Sequence, residues 1–413
     1  LGGNTKASEL WQAWGLSLNK DGAPHTNLHN AALILEHDPA YKDSVYFDEF
    51  LQRIIRRNSP VREWQDSDDL EITRHIQSTL CITRMGRDAV SQAVMDTAYK
   101  HRSNCVKEWI ESLQWDGTQR LESFFSDYFC AVDSQYTRAA SKNFWLSIVA
   151  RVYKPGCKVD NMIVLEGSQG LGKSTAMHTI GGDWFAEQHE SALYPKAFAE
   201  ILQGKLLIEI SEMEAFTRVE VSRVKQTVSC ASDRFRASYA RYASDHPRTC
   251  VFVGTTNRDD WNRDETGARR FWPIACQGAI NLIGIRENRD SLFAEARHRF
   301  VAGENHWDMP PDATASEQEA RFQADPWQDQ IDEFIKGERW TTTSKLLEKL
   351  GLDVSKRSKS EEMRVAACLR YRRWQRKPVR TGKVSTKVYV HPDVLPHEVS
   401  TLVVGVNTQP FDL

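Results

Sequence analysis

Residues 166–175, EGSQGLGKST, have the residue types and spacing that most directly suggest chemistry. The pattern G-x-x-x-x-G-K-[ST] is matched by Gly167, Gly172, Lys173 and Ser174. In such a loop, backbone N–H groups surround nucleotide phosphates, the lysine reaches the β- and γ-phosphates, and the hydroxyl binds Mg²⁺. We therefore predict a site for ATP and Mg²⁺; the alternative is a glycine-rich turn that holds no ligand. The predicted nucleotide-binding residues are Gly167, Ser168, Gln169, Gly170, Leu171, Gly172, Lys173, Ser174 and Thr175.

Polar residues that suit phosphate hydrolysis follow two further apolar runs. In KLLIEISEME we place Glu209 at a strand end as a Mg²⁺ ligand beside Ser174, and Glu212 as the residue that orients or deprotonates water. The two acids could also have the opposite roles. The run VFVGTTN ends at Asn257, whose amide suits a hydrogen bond to the γ-phosphate or to the water. Without the loop at 166–175, both stretches would be interpreted as polar turns after buried strands.

Two adjacent arginines, Arg269 and Arg270, stand directly before a strand in RDETGARRFWP. Neighbouring residues of a strand point to opposite faces. One arginine can therefore face its own subunit while the other reaches the ATP of the next subunit, where an arginine stabilises the developing charge. The alternative is a pair of surface arginines bound to Asp264 and Glu265.

The elements that must position these residues alternate between strands and helices over residues 159–276. A helix is predicted over 173–180. We assign residues 156–285 to an α/β P-loop ATPase core. The predicted strands are 162–165, 206–210, 250–255 and 271–275.

The flanking regions differ in character from this core. Residues 1–155 lack strand-like alternation and predict an all-α N-terminal domain. Residues 286–340 predict a helical extension, and 341–413 a small, basic, winged-helix-like domain. Helices in the N-terminal domain are predicted at 46–57, 69–81 and 87–101.

Basic and aromatic residues are interleaved in RVKQTVSCASDRFRASYARY. Cations that bind phosphates and rings that stack on bases suit a sequence-independent grip on single-stranded DNA. We predict a hairpin here, preceded by a helix that carries Lys225; the alternative is a solvated amphipathic hairpin. The predicted DNA-binding residues are Lys225, Arg234, Arg236 and Arg241, with Phe235, Tyr239 and Tyr242 between them.

The C-terminal region is a second candidate for DNA binding. Residues 356–387 contain twelve Lys and Arg against two Glu. TTSKLLEKL predicts a short capped helix, EEMRVAACLRYRRWQR a longer one, and KPVRTGKVSTKVYV a hairpin that turns at Thr381-Gly382. Helix, helix and hairpin resemble a winged helix, whose second helix can enter a major groove. We assign duplex or origin contacts to Arg372, Arg373 and Lys383; the alternative is a basic or protein-docking module.

Composition narrows the class of protein. Of the 413 residues, 27% are charged and 40% hydrophobic, and the net charge is −2, so any nucleic-acid surface must be local. Eight cysteines without a C-x-x-C pair indicate scattered thiols in a reducing compartment. No run approaches membrane-spanning length and no signal peptide is visible, which predicts a cytoplasmic location. Residue 1 is Leu, so we expect the chain to begin inside a longer protein.

Two patterns could be mistaken for metal sites. The acids of DSDD at 66–69 do not end an apolar strand, and we interpret them as a helix start, where acids cap and complement the dipole. His25 and His29 have helical spacing, but no acid follows to complete a zinc site. We therefore assign no metal to either.

The order of motifs resembles the virulence-associated protein E family of phages, satellites and mobile islands, which is related to superfamily 3 helicases within the AAA+ class. The motifs are the loop, IEISEME, VKQTVSCASDRFRASYARY, VGTTN and RDETGARRFWPI, and with WDGTQRL upstream the resemblance covers roughly residues 25–340. It implies a replication ATPase, often fused to or encoded beside a primase. It also implies a hexameric ring that binds ATP between subunits and DNA in its channel, with the predicted hairpin entering that channel.

Three functions remain open from the sequence. The leading prediction is an ATP-driven DNA helicase or translocase that replicates a mobile element. The first alternative is an initiator, which would assemble on origin DNA and recruit a polymerase or primase without processive unwinding. The second is a P-loop kinase of a small molecule, which would need neither DNA nor an arginine from a neighbour.

Overall fold

The computed structural model describes residues 2–188, 195–216, 218–236, 242–259, 261, 270–321, 325–352, 358–381, 384–395 and 398. Arg241, Arg269 and Lys383, to which the sequence analysis assigns roles, lie outside these residues, as does Tyr239.

The N-terminal region packs helices against a small sheet with strand order β3-β2-β1-β4. Strand β1 is antiparallel to β2 and parallel to β4. The elements are α1 (Gly2–Ala13), α2 (Leu28–His37), β1 (Val45–Asp48), β2 (Arg53–Arg56), β3 (Arg62–Glu63), α3 (Asp66–Ser78), α4 (Arg87–Lys100) and β4 (Arg102–Ser103).

The prediction of an all-α N-terminal domain is therefore wrong. The helix predicted over 46–57 is instead the hairpin of β1 and β2. Asp48 closes its turn, because its Oδ1 accepts hydrogen bonds of 2.8 Å from the backbone N–H groups of Phe50 and Leu51. Such local bonds compete with helix formation. All four residues of β1 are buried, so the alternation that marks a half-exposed strand is missing.

The turn of this hairpin reaches into the central core of the molecule. Phe50 is completely buried among the apolar residues beneath the central sheet, with its ring centroid 6.2 Å from that of Trp184. Leu51 lies so close to Gly204 that a Cβ at Gly204 would be 3.1 Å from its Cδ2. The N-terminal region also has an apolar cluster of its own, formed largely by α2, α3 and α4, and Phe50 connects this region to the core of the central sheet.

The acidic run at 66–69 begins helix α3, as the sequence analysis predicts. Asp68 accepts a hydrogen bond from the backbone N–H of Gln65 in a capping box and pairs with Arg56 and Arg62, each at 2.6 Å. Burial opposes the charge of Asp68, but these donors hold its pKa at about 2. The Asp68 carboxylate therefore serves to bind two arginines and to cap the N-terminus of α3.

The central region follows three helices, α5 (Cys105–Ser112), α6 (Phe124–Phe129) and α7 (Gln135–Tyr153). It alternates strands and helices in the predicted way. Its elements are β5 (Met162–Glu166), α8 (Lys173–Gly181), β6 (Phe185–Gln188), α9 (Pro195–Leu202), β7 (Leu207–Ile210), α10 (Arg218–Ser229), β8 (Ser232–Phe235), β9 (Ser244–Pro247), β10 (Val251–Thr256) and β11 (Phe271–Ala275).

Five of these strands form a parallel sheet with the order β11-β5-β10-β7-β6. Strands β5, β7 and β10 are buried along their whole length, which explains their continuous apolar runs. The four predicted strands are confirmed to within a residue or two, whereas β6 was not predicted. In a parallel sheet all carboxyl ends meet at one edge, where ligands of α/β proteins bind.

Helices cover both faces of this sheet. On one face α7 and α8 pack with α11 (Leu282–Val301), and on the other α10 contributes its apolar side. Helix α12 (Pro311–Ala320) follows and contacts β11 through a hydrogen bond from the Gln318 side chain to the Phe271 carbonyl. No helix among the described residues is both long and apolar enough to cross a lipid bilayer.

Residues 328–390, which we call the C-terminal unit, have an apolar core of their own. The predicted order of helix, helix and hairpin is confirmed, and its antiparallel sheet has the order β12-β14-β13. Helix α13, which the sequence analysis placed in the helical extension, contributes to this core. The elements are α13 (Gln328–Ile335), β12 (Trp340–Thr341), α14 (Thr343–Lys349), α15 (Lys359–Tyr371), β13 (Gln375–Thr381) and β14 (Val384–Val390).

Candidate functional site

The glycine loop, residues 167–172, joins the carboxyl end of β5 to the start of α8. Three of its glycines have positive φ, at 141°, 87° and 93° for Gly167, Gly170 and Gly172. A Cβ at Gly167 would lie 2.7 Å from the Cys276 carbonyl oxygen, so this position has no room for a side chain. The loop therefore has the exposed backbone and the helix N-terminus that bind phosphate groups.

Lys173, the first residue of α8, folds its ammonium back over this loop. Its Nζ donates to the carbonyl oxygens of Gly167 (2.5 Å) and Ser168 (3.0 Å) and to Oδ1 of Asn257 (3.3 Å). Asn257 directly follows β10, which lies beside β5 in the sheet, so the fold brings Asn257 next to the glycine loop. These contacts hold the one cation of the loop sequence beside the position that a phosphate would take.

Glu209 lies in the interior of β7 and joins two hydroxyl groups. Its Oε1 accepts hydrogen bonds from Ser174 Oγ (2.6 Å) and Thr255 Oγ1 (2.7 Å). The residue is fully buried, and its Oε2 has no hydrogen-bond partner. Burial raises the pKa of Glu209, and the two hydroxyl donors oppose that shift. The two predicted Mg²⁺ ligands thus lie side by side.

These groups fit a magnesium ion. Mg²⁺ binds through one or two oxygen ligands of the protein, with substrate phosphates and water completing its shell. The buried Oε2 of Glu209 is an oxygen without a partner, and Ser174 Oγ adds a second oxygen within hydrogen-bond distance of the same carboxylate. The positive-φ cradle of the glycine loop supplies the adjoining phosphate position.

A cavity of about 340 Å³ opens between the glycine loop and the ends of β6, β7 and β10. Glu212 lines it from a left-handed conformation (φ 56°) and is exposed, which leaves its carboxylate accessible from the cavity. Residues 169–175, from the glycine loop and the start of α8, also line this cavity. The cavity has the size of a small-molecule site.

Glu187 is an acid of this cavity that the sequence analysis missed. It lies on β6 directly opposite Glu209 of β7, and its charge adds to the rise in the pKa of Glu209. Strand β6 has the sequence FAEQ and is only partly buried, so neither an apolar run nor an alternation marked it. Only the pairing of β6 with β7 places Glu187 beside Glu209, and the sequence does not show this pairing.

Arg270 does not approach the glycine loop of its own chain. It precedes β11, whose parallel register pairs Phe271 with Met162 and Ala275 with Glu166. Arg270 therefore lies at the amino edge of the sheet, roughly 16 Å along the strands from the level of Glu166. Its Nε is buried and has no hydrogen-bond partner.

The predicted hairpin is present as the antiparallel pair β8 and β9. Arg234 pairs across it with Asp245 at 3.2 Å, and both side chains are largely exposed. Arg236 is exposed, and Tyr242 is 81% exposed. Phe235 is instead buried and stacks on His246, with ring centroids 4.3 Å apart.

Lys225 is not part of this exposed surface, which corrects its predicted role in DNA binding. It lies on α10 as predicted but is only 5% exposed, and its Nζ is 5.7 Å from the centroid of the Phe271 ring. Helix α10 turns this position towards the sheet, where an aromatic ring stabilises the cation. A basic residue missed by the sequence analysis anchors the hairpin, because Arg248 binds both carboxylate oxygens of Asp233 (2.6 and 2.7 Å).

The basic residues of the C-terminal unit fall into two groups. Arg372 is bound to Asp332 of α13, with its Nε 2.9 Å from each carboxylate oxygen, so part of its charge is neutralised within the unit. Arg373 follows α15 with a positive φ of 62° and is exposed. Lys359 and Arg370 are exposed on α15. The exposed basic surface therefore includes Arg373 but only partly Arg372.

The fold and the site define an α/β protein whose parallel sheet carries a phosphate-binding-loop sequence at its carboxyl edge. Residues 110–325 match the virulence-associated protein E-like domain. This stretch is more than half of the chain, and the protein belongs to that family, as the order of its motifs predicts. The match is narrower than the resemblance over residues 25–340.

Two solved structures are distantly similar to the chain. The apo structure of the NrS-1 C terminal region (305-718) has a TM-score of 0.46 and 13% identity, covering 84% of this chain and 95% of that one. The A form apo structure of the same region has a TM-score of 0.46 and 11% identity, covering 84% and 96%. No curated protein sequence matches the chain.

Proposed function

We propose that the protein is an ATP-driven DNA helicase or translocase that acts as a ring oligomer in replication of a phage, satellite or other mobile element. The observation that carries this proposal is the joining of Ser174 to Glu209 beside a glycine loop held by Lys173. It places a hydroxyl, a buried carboxylate and an ammonium at the edge where α/β proteins bind ligands. Membership in the virulence-associated protein E-like family supports the replication role.

Each side chain of the site has a defined task in hydrolysis. Lys173 neutralises charge on the β- and γ-phosphates, and Ser174 with Glu209 would hold Mg²⁺. When bound, the metal ion neutralises the charge that develops on the transferred phosphate. Glu212, exposed to the cavity, orients or deprotonates the attacking water. Asn257, which already accepts from Lys173, holds the γ-phosphate or the water in line.

Hydrolysis in this proposal is shared between subunits. The glycine loop lies at the carboxyl edge of the sheet and Arg270 near its amino edge, so one chain does not supply both to the same nucleotide without a large movement. A neighbour in a ring can bring its Arg269 or Arg270 to the γ-phosphate. An arginine supplied by a neighbouring subunit can raise the rate of nucleotide hydrolysis by several orders of magnitude.

Two surfaces of the chain suit DNA. Arg234, Arg236 and Tyr242 are exposed on or beside the β8–β9 hairpin and suit single strands in a ring channel. The C-terminal unit has the helix and hairpin order of a winged helix, which suits duplex or origin DNA. Its exposed Arg373 is the predicted contact that remains accessible.

The C-terminal unit also favours a second candidate, an initiator that assembles on origin DNA and recruits a primase or polymerase without processive unwinding. The specific observation is that this unit has a separate core and its own basic surface. An origin-binding module needs both. Unwinding separates the two candidates, because an initiator would bind the duplex without displacing a strand.

The test combines three measurements on the full chain. ATP hydrolysis is measured with and without single-stranded DNA, mass is measured with and without nucleotide, and strand displacement is followed on a forked duplex. A helicase gives DNA-stimulated hydrolysis, a nucleotide-dependent ring and displacement. Stimulated hydrolysis without displacement favours the initiator. Hydrolysis that ignores DNA and appears in a monomer would refute both.

A further inference from the structure

A buried carboxylate directly before the glycine loop joins three parts of the molecule. Glu166, the last residue of β5, is 3% exposed. Its two oxygens accept from Arg321 Nε at 3.1 and 3.0 Å, and its Oε1 also accepts from Trp261 Nε1 at 2.7 Å. Arg321 follows the last residue of α12, outside the sheet. None of these three residues has a task in the proposed hydrolysis.

The partners of Glu166 are next to residues that do have such tasks. Gly167 is its neighbour in the chain, and the Gly167 carbonyl accepts from Lys173. Trp261 comes four residues after Asn257, which accepts from the same ammonium. A cavity of about 500 Å³ is lined by Glu166, Gly167, Asn257 and Arg321 among others, so this cluster adjoins the glycine loop behind the phosphate cavity.

The charge of Glu166 depends on Arg321. Burial raises the pKa of Glu166, while Arg321 and Trp261 act in the opposite direction. Arg321 is also bound to Glu317 on its own helix, which keeps the guanidinium oriented towards β5. Removing one partner of a buried pair leaves an uncompensated charge, and the surrounding backbone must then rearrange or the remaining group must change its protonation. Here that backbone is the start of the glycine loop.

We propose that Arg321 is a positioning residue of the nucleotide site, which acts through Glu166 to fix the Gly167 carbonyl and the side chain of Trp261, four residues after Asn257. The proposal rests on the proposed ATP hydrolysis. It assigns α12 a role in the site, because the helix supplies the cation that the end of β5 requires. Rates of enzymes are sensitive to displacements of this kind, since about 1 Å can cost about 100-fold.

The experiment compares five variants of the full chain. Arg321→Met removes the guanidinium but keeps the apolar stem, Arg321→Lys keeps a cation, and Glu166→Gln removes the anion. The double variant carries Glu166→Gln and Arg321→Met together. Arg138→Met is the matched control, because Arg138 also pairs with an acid, Asp133, but both side chains are exposed. For each, kcat, KM for ATP and the thermal unfolding midpoint are measured.

A positioning role gives a distinct pattern. Arg321→Met should lower kcat by about 10- to 100-fold with a smaller change in KM. Arg321→Lys should retain much of the rate, and the double variant should be faster than Arg321→Met alone, because a neutral Gln needs no cation. The Arg138→Met control should hydrolyse ATP like the wild type.

Other outcomes overturn the proposal. If Arg321→Met lowers only the unfolding midpoint and leaves kcat per folded molecule unchanged, the pair is purely structural. A double variant no faster than Arg321→Met would show that Arg321 does not act through Glu166. A wild-type protein without ATP hydrolysis would overturn the proposed function and this role with it, whereas normal turnover in both the wild type and Arg321→Met would overturn only the role of Arg321.

Discussion

At the residue scale, the contacts of Lys173 make it the first target for mutation. Its ammonium donates to two loop carbonyls and to Asn257, and no other residue of the loop 167–172 is basic. We expect Lys173→Ala to lower ATP hydrolysis by about 100-fold or more, because the transition-state charge loses its fixed donor. Lys158→Ala, at an exposed lysine, is the control for the measured rate. Normal turnover in Lys173→Ala would remove the assignment of the loop.

The raised pKa of Glu209 predicts how nucleotide binding depends on pH. A carboxyl group must be deprotonated to bind Mg²⁺. Because burial raises the pKa of Glu209, protons compete with the metal up to a higher pH than at an ordinary glutamate. We expect the Mg²⁺-dependent part of ATP affinity to fall as pH is lowered from about 7.5 to about 5. In Glu209→Gln that part should be small at every pH, as measured by calorimetric titration.

Glu212→Gln provides the contrast. It should bind Mg-ATP with the same pH dependence as the wild type but hydrolyse it about 100-fold more slowly, since in the proposed mechanism the cavity-lining carboxylate of Glu212 acts on water and not on the metal ion. Equal and mild effects of the two substitutions would show that the acids have been assigned wrongly.

At the scale of elements, we expect substitutions in the β8–β9 hairpin to change the affinity for single-stranded DNA in opposite directions. Arg234→Ala together with Arg236→Ala should weaken binding of single-stranded DNA and flatten its salt dependence, because fewer counterions are released. Asp245→Asn should strengthen binding, because it frees Arg234 from an exposed ion pair worth only about 0–1 kcal/mol. Fluorescence anisotropy across a salt titration measures both. If neither change alters binding, the hairpin is not the DNA surface.

The elements also show why part of the fold was predictable from sequence. Strands β5, β7, β10 and β11 are apolar runs because they are buried on both faces, and the glycine loop has a spacing that few other structures need. The β1–β2 hairpin and strand β6 escaped prediction for a physical reason. The strand character of β6 depends on its pairing with β7, and that of β1 on a turn closed by Asp48 and on its pairing with β4, more than fifty residues later.

The same distinction holds for the candidate site. Lys173, Ser174, Glu209 and Asn257 could be predicted because each lies in or next to an element with a clear pattern, and the structure brings them together. Glu187 could not, because only its register against Glu209 places it in the cavity. The burial of Lys225 likewise depends on which side of α10 meets the sheet, which a short basic stretch does not reveal.

At the scale of the whole molecule, the separate core of the C-terminal unit predicts where the chain can be cut. A chain that ends at residue 325 should keep ATP hydrolysis and lose duplex or origin binding. A chain that ends at residue 340 should instead be poorly soluble, because α13 would expose Ile331 and Ile335, which pack against α14 and α15. Size-exclusion chromatography and duplex binding measure the two effects. Equal solubility and equal duplex binding of both chains would contradict this boundary.

The shared nucleotide site is a prediction about the assembly. Arg270→Ala or Arg269→Ala should bind ATP but not hydrolyse it. Lys173→Ala should also not hydrolyse ATP, but because the glycine loop of its own subunit is defective. When an arginine variant and Lys173→Ala are mixed in equal amounts, about one quarter of the interfaces in a ring combine an intact loop with an intact arginine. The mixture should therefore recover part of the wild-type rate. Mixtures without recovery for either arginine would contradict a shared site.

Phe50 has a consequence for how such proteins can be recombined between mobile elements. The turn that carries it fills the core under the central sheet, so an N-terminal region taken from a divergent relative would leave a void or a clash there unless the sheet changed with it. The C-terminal unit has no such constraint on its apolar core. We infer that exchange of the C-terminal unit between relatives is easiest at a junction near residue 325, after Arg321, while the N-terminal region and the central sheet are inherited together.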